Sequence, residues 1–318
     1  MTIDPTNLFV VITVAALAPI LADLPRAVRV PVILVEIGLG MVVGPQALGL
    51  AHADPLVSEL SELGLAALFF LAGMEIDVAE LRGHMGRLAM GSWGGSLVLG
   101  IGVAVGLWAT GLVGAPLLGW LALTTSSLGA LFPILSDAGL SGGRMGRNAI
   151  AVGAAGELGP IVLLSLVLAL ASGEAWRTAL LLAFAAVVLG VAVVAQRARP
   201  ARIVRLLETT MHSSGQVAVR LALVVLGGLF VLADKLGLDV ILGAFSAGMI
   251  VGLVAPTSSR SPFRIKLDGL GYGFLIPIFF VTTGLEFDLD GLFASLANIL
   301  LVPGVAMLLL VTRGLPVW

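Results

Sequence analysis

The chain has 318 residues, 59% of them apolar and only 11% charged, with a mean hydropathy of +1.12. So little polar material cannot coat a water-soluble globule, and the chain reads as an all-α polytopic membrane protein. A formal net charge of −2 leaves nothing to attract nucleic acid, and the absence of cysteine excludes disulfides and thiolate metal sites.

A spanning helix needs about 20 mostly apolar residues, fewer where flanking groups snorkel. On that rule eleven segments follow in order, at about 6–22, 31–50, 59–76, 87–110, 116–136, 146–171, 176–196, 216–234, 238–255, 269–286 and 295–313. No basic leader or small-residue cleavage site precedes the first, so no cleaved signal peptide is expected. The 41 glycines favour close helix approach in a bundle.

The fifth and sixth segments carry the polar chemistry. The fifth holds four hydroxyls in a row, Thr124, Thr125, Ser126 and Ser127, followed by Gly129 and Pro133. The sixth holds a single carboxylate, Glu157, among small residues, with Gly159 and Pro160 just after it. A carboxylate near the bilayer centre costs several kcal/mol and marks a functional site by default. Gly and Pro at that depth predict interrupted helices, tolerable only where freed backbone faces protein or a wet cavity. Together they predict a polar pocket around an ionisable group. Glu36, one turn into the second segment, is a candidate for lining an access funnel, or equally an interfacial carboxylate.

After the seventh segment, residues 197–215 place Arg197, Arg199, Arg202 and Arg205 ahead of Leu206, Leu207 and Met211. This reads as a surface-lying basic linker between a first unit, 1–196, and a second, 216–318. Cations alternate by side. Connections after the odd-numbered segments carry Arg26, Arg29, Arg82, Arg87, Arg144, Arg147, that arginine quartet, Arg220, Arg260, Arg264 and Lys266. The opposite side carries only Arg177 and Lys235, which places the N-terminus outside.

The halves repeat. Gly40-Met-Val-Val-Gly44 matches Gly248-Met-Ile-Val-Gly252, and Phe69-Phe-Leu-Ala-Gly-Met-Glu-Ile-Asp77 matches Phe279-Phe-Val-Thr-Thr-Gly-Leu-Glu-Phe-Asp288 with one residue inserted. By the charge count the matched segments run in opposite directions, the inverted-repeat architecture of many secondary transporters. Glu75 and Glu286 read as symmetry-related structural features at outer helix ends. The second unit supplies counterparts for only four of the first six segments. Partners of 116–136 and 146–171 would follow residue 318, so the chain is expected to be the front of a longer one.

Pro31-Val-Ile-Leu-Val-Glu-Ile-Gly-Leu-Gly-Met-Val-Val-Gly-Pro45, Phe69–Asp77, Gly243-Ala-Phe-Ser-Ala-Gly248 and Pro277-Ile-Phe-Phe-Val-Thr-Thr-Gly284 resemble the cation:proton antiporter-2 family, the Kef-type and related sodium/proton exchangers. The resemblance implies a thirteen-helix inverted-repeat fold, a homodimer formed through a scaffold domain, and a mobile core in which two unwound helices cross near the midplane. Only one of those crossing helices, 116–136, falls within this chain. Where the family commonly has an Asp pair, or a polar residue and Asp, this chain has Gly156-Glu157. The resemblance therefore assigns the cation and proton role to Glu157, and the lone carboxylate favours one-for-one exchange. It also implies a basic residue in the helix matching 295–313, for which Arg313 is the candidate charge partner.

Sodium and potassium, as hard cations, want carboxylate, hydroxyl and carbonyl oxygens, which Glu157 and the Thr124–Ser127 stretch offer. In low dielectric a proton and a cation then compete for one carboxylate. The competing readings are a satisfied Glu157–Arg313 pair, and hydroxyls bonded to their own helix. No H-E-x-x-H or Walker sequence is present, so neither a metalloprotease nor a primary pump is expected, and no cofactor is called for. The expected function is antiport of H+ against Na+ or K+. A sodium-coupled organic-anion symporter of related fold and a non-transporting exchanger-like membrane module are the alternatives.

Overall fold

The computed structural model describes residues 4–24, 30–75, 83–111, 114, 116–127, 131, 134–135, 139–140, 143–171, 175–198, 215–254 and 261–317. Its helices begin at the punctuation the sequence supplies. α1 (Pro5–Asp23) starts on Asp4, whose carboxylate accepts the Thr6 N–H at 2.9 Å, with Pro5 where no helical donor is needed. There follow α2 (Val32–Val43), α3 (Pro55–Glu75), α4 (His84–Ala109), α5 (Pro116–Thr124), α6 (Arg144–Ala171) and α7 (Ala175–Ala198). After the linker come α8 (Val217–Lys235), α9 (Val240–Val254), α10 (Pro262–Leu270), a π-helical turn over Gly271–Leu275, α11 (Ile276–Leu285), the short α12 (Leu289–Phe293) and α13 (Leu296–Gly314).

Among the described residues seven helices are long and apolar enough to cross a membrane, with α10 through α11 counted as one, and α2 and α9 are shorter apolar helices. Phe9, Val98, Val224, Leu296 and Leu310 are exposed on them, as is Leu182 on α7. Apolar surface on that scale is stable against lipid, not water. The predicted segment 116–136 is helical from Pro116 to Thr124, leaves the helix over residues 125–127, and is helical again at Leu131, Ile134 and Leu135, with the Leu131 N–H on Ser127 O. Gly129, Pro133 and the linker residues 199–214 lie outside the described residues.

The chain divides into two compact units, residues 1–75, 191–231 and 243–295 in the first and residues 76–190, 232–242 and 296–318 in the second. These spatial units interleave the two sequence halves.

Unit one is built on two glycine crossings. A methyl carbon on Gly40 of α2 would sit 3.0 Å from Gly284 Cα of α11 and hard against Val281 O. One on Gly248 of α9 would sit 3.1 Å from Gly73 Cα of α3 and hard against Phe70 O. The reverse contacts pair Gly284 with Ile37 O and Gly73 with Phe245 O. Gly44 likewise lies on Leu285 and Gly252 on Met74. Every contact of one crossing becomes a contact of the other when α2 is exchanged for α9 and α3 for α11. Such backbone approach gains dispersion and Cα–H···O contacts that any side chain would prevent.

This geometry corrects the register of the repeat. The contacts make Phe70 the counterpart of Val281, not Phe280, so the extra residue of the second half lies earlier than the Phe-Phe pair suggests. The π turn at Gly271–Leu275 is where it is absorbed, since such a turn holds one residue more than an α turn; the Ile276 N–H reaches back five residues to Gly271 O. Pro277 follows at once, with no N–H for the Gly273 carbonyl, so the widened turn falls where the α ladder is already broken.

Two apolar clusters fill unit one. One joins Phe70, Leu71, Ala247, Phe263 and Phe280, the other Val11, Val14, Val57, Ile278 and Val281. Polar groups tie its ends. Asp54 accepts the Val57 N–H at 2.9 Å, the Asp4 N–H at 3.1 Å and Asn7 Nδ2 at 3.3 Å. Those bonds, Val57's above all, hold the Asp54 carboxyl below its ordinary range. Buried Arg264 pairs with Glu75 and with Asp268, the latter at 2.8 Å. By the charge count Arg264 belongs to the cation-rich side, so its partner Glu75 falls there rather than at an outer helix end; in the corrected register it is still the counterpart of Glu286, on the opposite side as an inverted repeat requires.

Candidate functional site

The polar crossing lies within unit two, where α4, α5, α6 and α13 meet. Its logic is an accounting of backbone groups. α5 stops at Thr124, and the Thr125 N–H turns back to Ala122 O at 3.2 Å. That takes the acceptor Ser126 would have used in a continuing helix. The Ser126 N–H instead donates to Gly156 O of α6 at 2.9 Å, and its hydroxyl donates to Gly153 O at 3.0 Å. The Leu123 carbonyl, also without its helical donor, lies 3.0 Å from the buried Thr312 hydroxyl, which it shares with Leu308 O at 2.9 Å. Left unpaired, each such buried group would cost about 1–3 kcal/mol.

Arg313, one residue on, enters the same crossing. Its Nη2 donates to Ser126 Oγ at 3.1 Å and Val152 O at 3.4 Å, and its Nη1 to Ser96 Oγ at 3.2 Å. Ser96, fully buried, passes its own proton to Ser92 O at 3.0 Å. A planar fork of fixed donors suits this better than the point charge of a lysine. Gly156 leaves the space: a methyl there would meet Ser126 Oγ and the Arg313 guanidinium, whose Cζ would be 2.7 Å away. Gly159 likewise lies under the Trp93 ring, with Cδ2 2.8 Å from where a methyl would be. Glu157, only 7% exposed, sits between these two glycines on α6.

Several expectations change. Gly159 and Pro160 do not break their helix: α6 runs unbroken from Arg144 to Ala171 with Pro160 inside it. The carbonyl that Pro160 cannot serve, Gly156 O, is the one taken by Ser126. Thr124 and Thr125 both give their hydroxyl protons to Leu121 O, at 2.8 and 2.9 Å. They are bound into their own helix, and Thr124 is fully buried with its methyl packed towards Gly100. Of the four hydroxyls, Ser126 is shown reaching across to α6, and Ser127 stands beside it in the non-helical stretch. Glu36 is 4% exposed, on the α2 face it shares with Gly40 and Val43 in unit one. A funnel-lining or interfacial carboxylate would be open to solvent, so neither reading fits. Ser92, Ser96, Trp93 and Thr312 were not foreseen. The one available signal was two serines four residues apart in an apolar helix.

Among the described residues the fold is all-helical, with paired crossings that exchange between repeats in unit one and an enclosed carboxylate beside a broken helix in unit two. The sodium/hydrogen exchanger family (transmembrane) matches residues 12–318, and the chain belongs to that family. YjbQ of Bacillus subtilis is 30% identical over 98% of the chain, which spans 52% of that relative, about half its length. The Na(+)/H(+)-K(+) antiporter GerN of Bacillus cereus is 26% identical, with 90% of this chain and 73% of that protein covered. The glutathione-regulated potassium-efflux system protein KefC of Cronobacter sakazakii is 30% identical over 86% of the chain and 45% of its own length. The solved structure of the sodium proton antiporter MjNhaP1 from Methanocaldococcus jannaschii superposes with a TM-score of 0.56 at 15% identity, covering 98% of this chain and 77% of that one.

Proposed function

We propose that the chain forms the ion-carrying membrane part of a secondary antiporter exchanging H+ for Na+ or K+ by alternating access. The observation that supports this is the position of Glu157, enclosed on α6 in the turn whose carbonyls receive the broken end of α5. A carboxylate with nearby serine hydroxyls and backbone carbonyls makes an oxygen set for a hard monovalent cation. The same carboxylate accepts a proton, so the two ions occupy it in turn. A loaded site is neutral enough to move through low dielectric, and a bare carboxylate is not. Residue 156 is glycine, so one carboxylate serves the cycle and exchange is one for one. Ser126 and Ser127 are the hydroxyls best placed to contribute, and Arg313 offsets the empty anion while holding the crossing together. The names of GerN and KefC accord with this reading.

The protein reconstituted in vesicles should show cation-dependent proton flux, abolished in Glu157→Gln, with helical content and thermal unfolding unchanged. Flux that survives that substitution overturns the assignment. The same reading includes a plasma-membrane location and an N-terminus on the outside, supported by the bacterial relatives and the cation asymmetry respectively, and a homodimer as the family resemblance implies. With no native cysteine, Ala53→Cys should be labelled from the outer face alone.

A further inference from the structure

Pro160 lies in the interior of α6 and has no N–H to offer Gly156 O, the carbonyl four residues back. That carbonyl is met by the Ser126 N–H at 2.9 Å, a donor set free by the end of α5. A missing donor in one helix and a surplus donor after the other thus cancel across the crossing. The Ser126 hydroxyl uses a different carbonyl, Gly153 O. The broken stretch is therefore held at two successive depths on the face of α6 that leads to Glu157.

We propose that Pro160 is a positioning residue for the ion site: by withholding an N–H from Gly156 O, it makes that carbonyl the docking point for residues 125–127 and fixes where Ser126 and Ser127 stand beside Glu157. This role rests on the exchange reading above. It differs from that of a proline that merely shapes its helix, because it acts on a segment 34 residues away in sequence through a backbone bond. The variant Pro160→Ala gives α6 its own donor for Gly156 O, with which the Ser126 N–H must then compete, so the docking bond is weakened.

In the unaltered protein the Ser126 amide exchanges slowly with deuterium, and in Pro160→Ala it exchanges faster while the α6 amides do not. The KM for the cation rises about three- to tenfold, the equivalent of one hydrogen bond, with the maximal rate nearly unchanged. Pro19→Ala, in α1 of unit one, moves neither readout. A loss of rate at constant KM, or a Ser126 amide that stays protected in Pro160→Ala, overturns the proposal. If Pro160→Ala fails to fold, the native Ser126 amide decides: rapid exchange there rejects the docking bond and slow exchange upholds it. Glu157→Gln separates the two claims. If it abolishes exchange while Pro160→Ala leaves KM alone, only the positioning role fails; if it leaves exchange intact, the antiport reading itself fails.

Discussion

Both units bring helix backbones into contact, by opposite means. In unit one, glycine meets glycine, and the seams between α2 and α11 and between α3 and α9 are closed by carbon and carbonyl oxygen alone. In unit two, the contact between α5 and α6 is made by hydrogen bonds, from the Ser126 backbone and hydroxyl and from the Arg313 guanidinium. A seam of the first kind has one arrangement, because nothing in it can change partners. The second kind can trade a protein partner for an ion or water at small net cost. Rigidity and exchangeability are thus assigned to different parts of one chain.

The largest expected effect breaks the rigid seam. In Gly248→Leu the new side chain meets the Phe70 carbonyl and Gly73 Cα, which cannot move aside, and about 3 kcal/mol or more of stability is lost. Gly40→Leu, its counterpart, should cost a similar amount. Thermal unfolding in detergent measures both, and a large difference between them would dissolve the equivalence of the crossings. Gly156→Ala is a smaller insult, since what it meets is the end of a flexible arginine and a serine hydroxyl. It should leave a folded protein with cation affinity weakened about tenfold, equivalent to roughly 1.4 kcal/mol. Arg313→Lys gives up the fork that spans Ser96 and Ser126, and should cost about 1 kcal/mol of stability with a lower exchange rate. Thr312→Val removes one shared donor from Leu123 O, a loss of about 0.5–1.5 kcal/mol seen in unfolding alone.

The smallest effect concerns pH and unit one. The Asp54 carboxyl is held below its ordinary value by the N–H groups around it. Its contribution is therefore complete above the ordinary aspartate range, near pH 4, and lost as pH falls through the depressed folded value. Asp54→Asn should flatten that acid-side loss of stability and lower the neutral-pH unfolding temperature slightly, by the contribution the carboxylate made there.

What was legible in the sequence was whatever repeats locally. Apolar length gave the helices, the matching Gly-xxx-Gly pairs gave the related seams, and a lone acid in an apolar run gave Glu157. Arg313, the last residue of the last predicted segment, was the candidate that the family resemblance implied and proves to be hydrogen-bonded at the crossing. Pro160 misled because the cost of an interior proline depends on whether its orphaned carbonyl finds another donor. That donor, on Ser126, lies 34 residues earlier and is set free only by the end of α5 at Thr124. The Thr124 and Thr125 hydroxyls follow the competing reading of bonds within their own helix, since both donate to Leu121 O.

The widened turn at Gly271–Leu275 makes chain length, at this one place, nearly free. Each residue of an α helix advances its face by about 100°. A deletion inside α3 would swing Gly73 off Gly248, whereas deleting Gly273 would only tighten the slack turn to ordinary pitch and leave Gly284 facing Gly40. Of two sister helices, one tolerates a lost codon and the other does not.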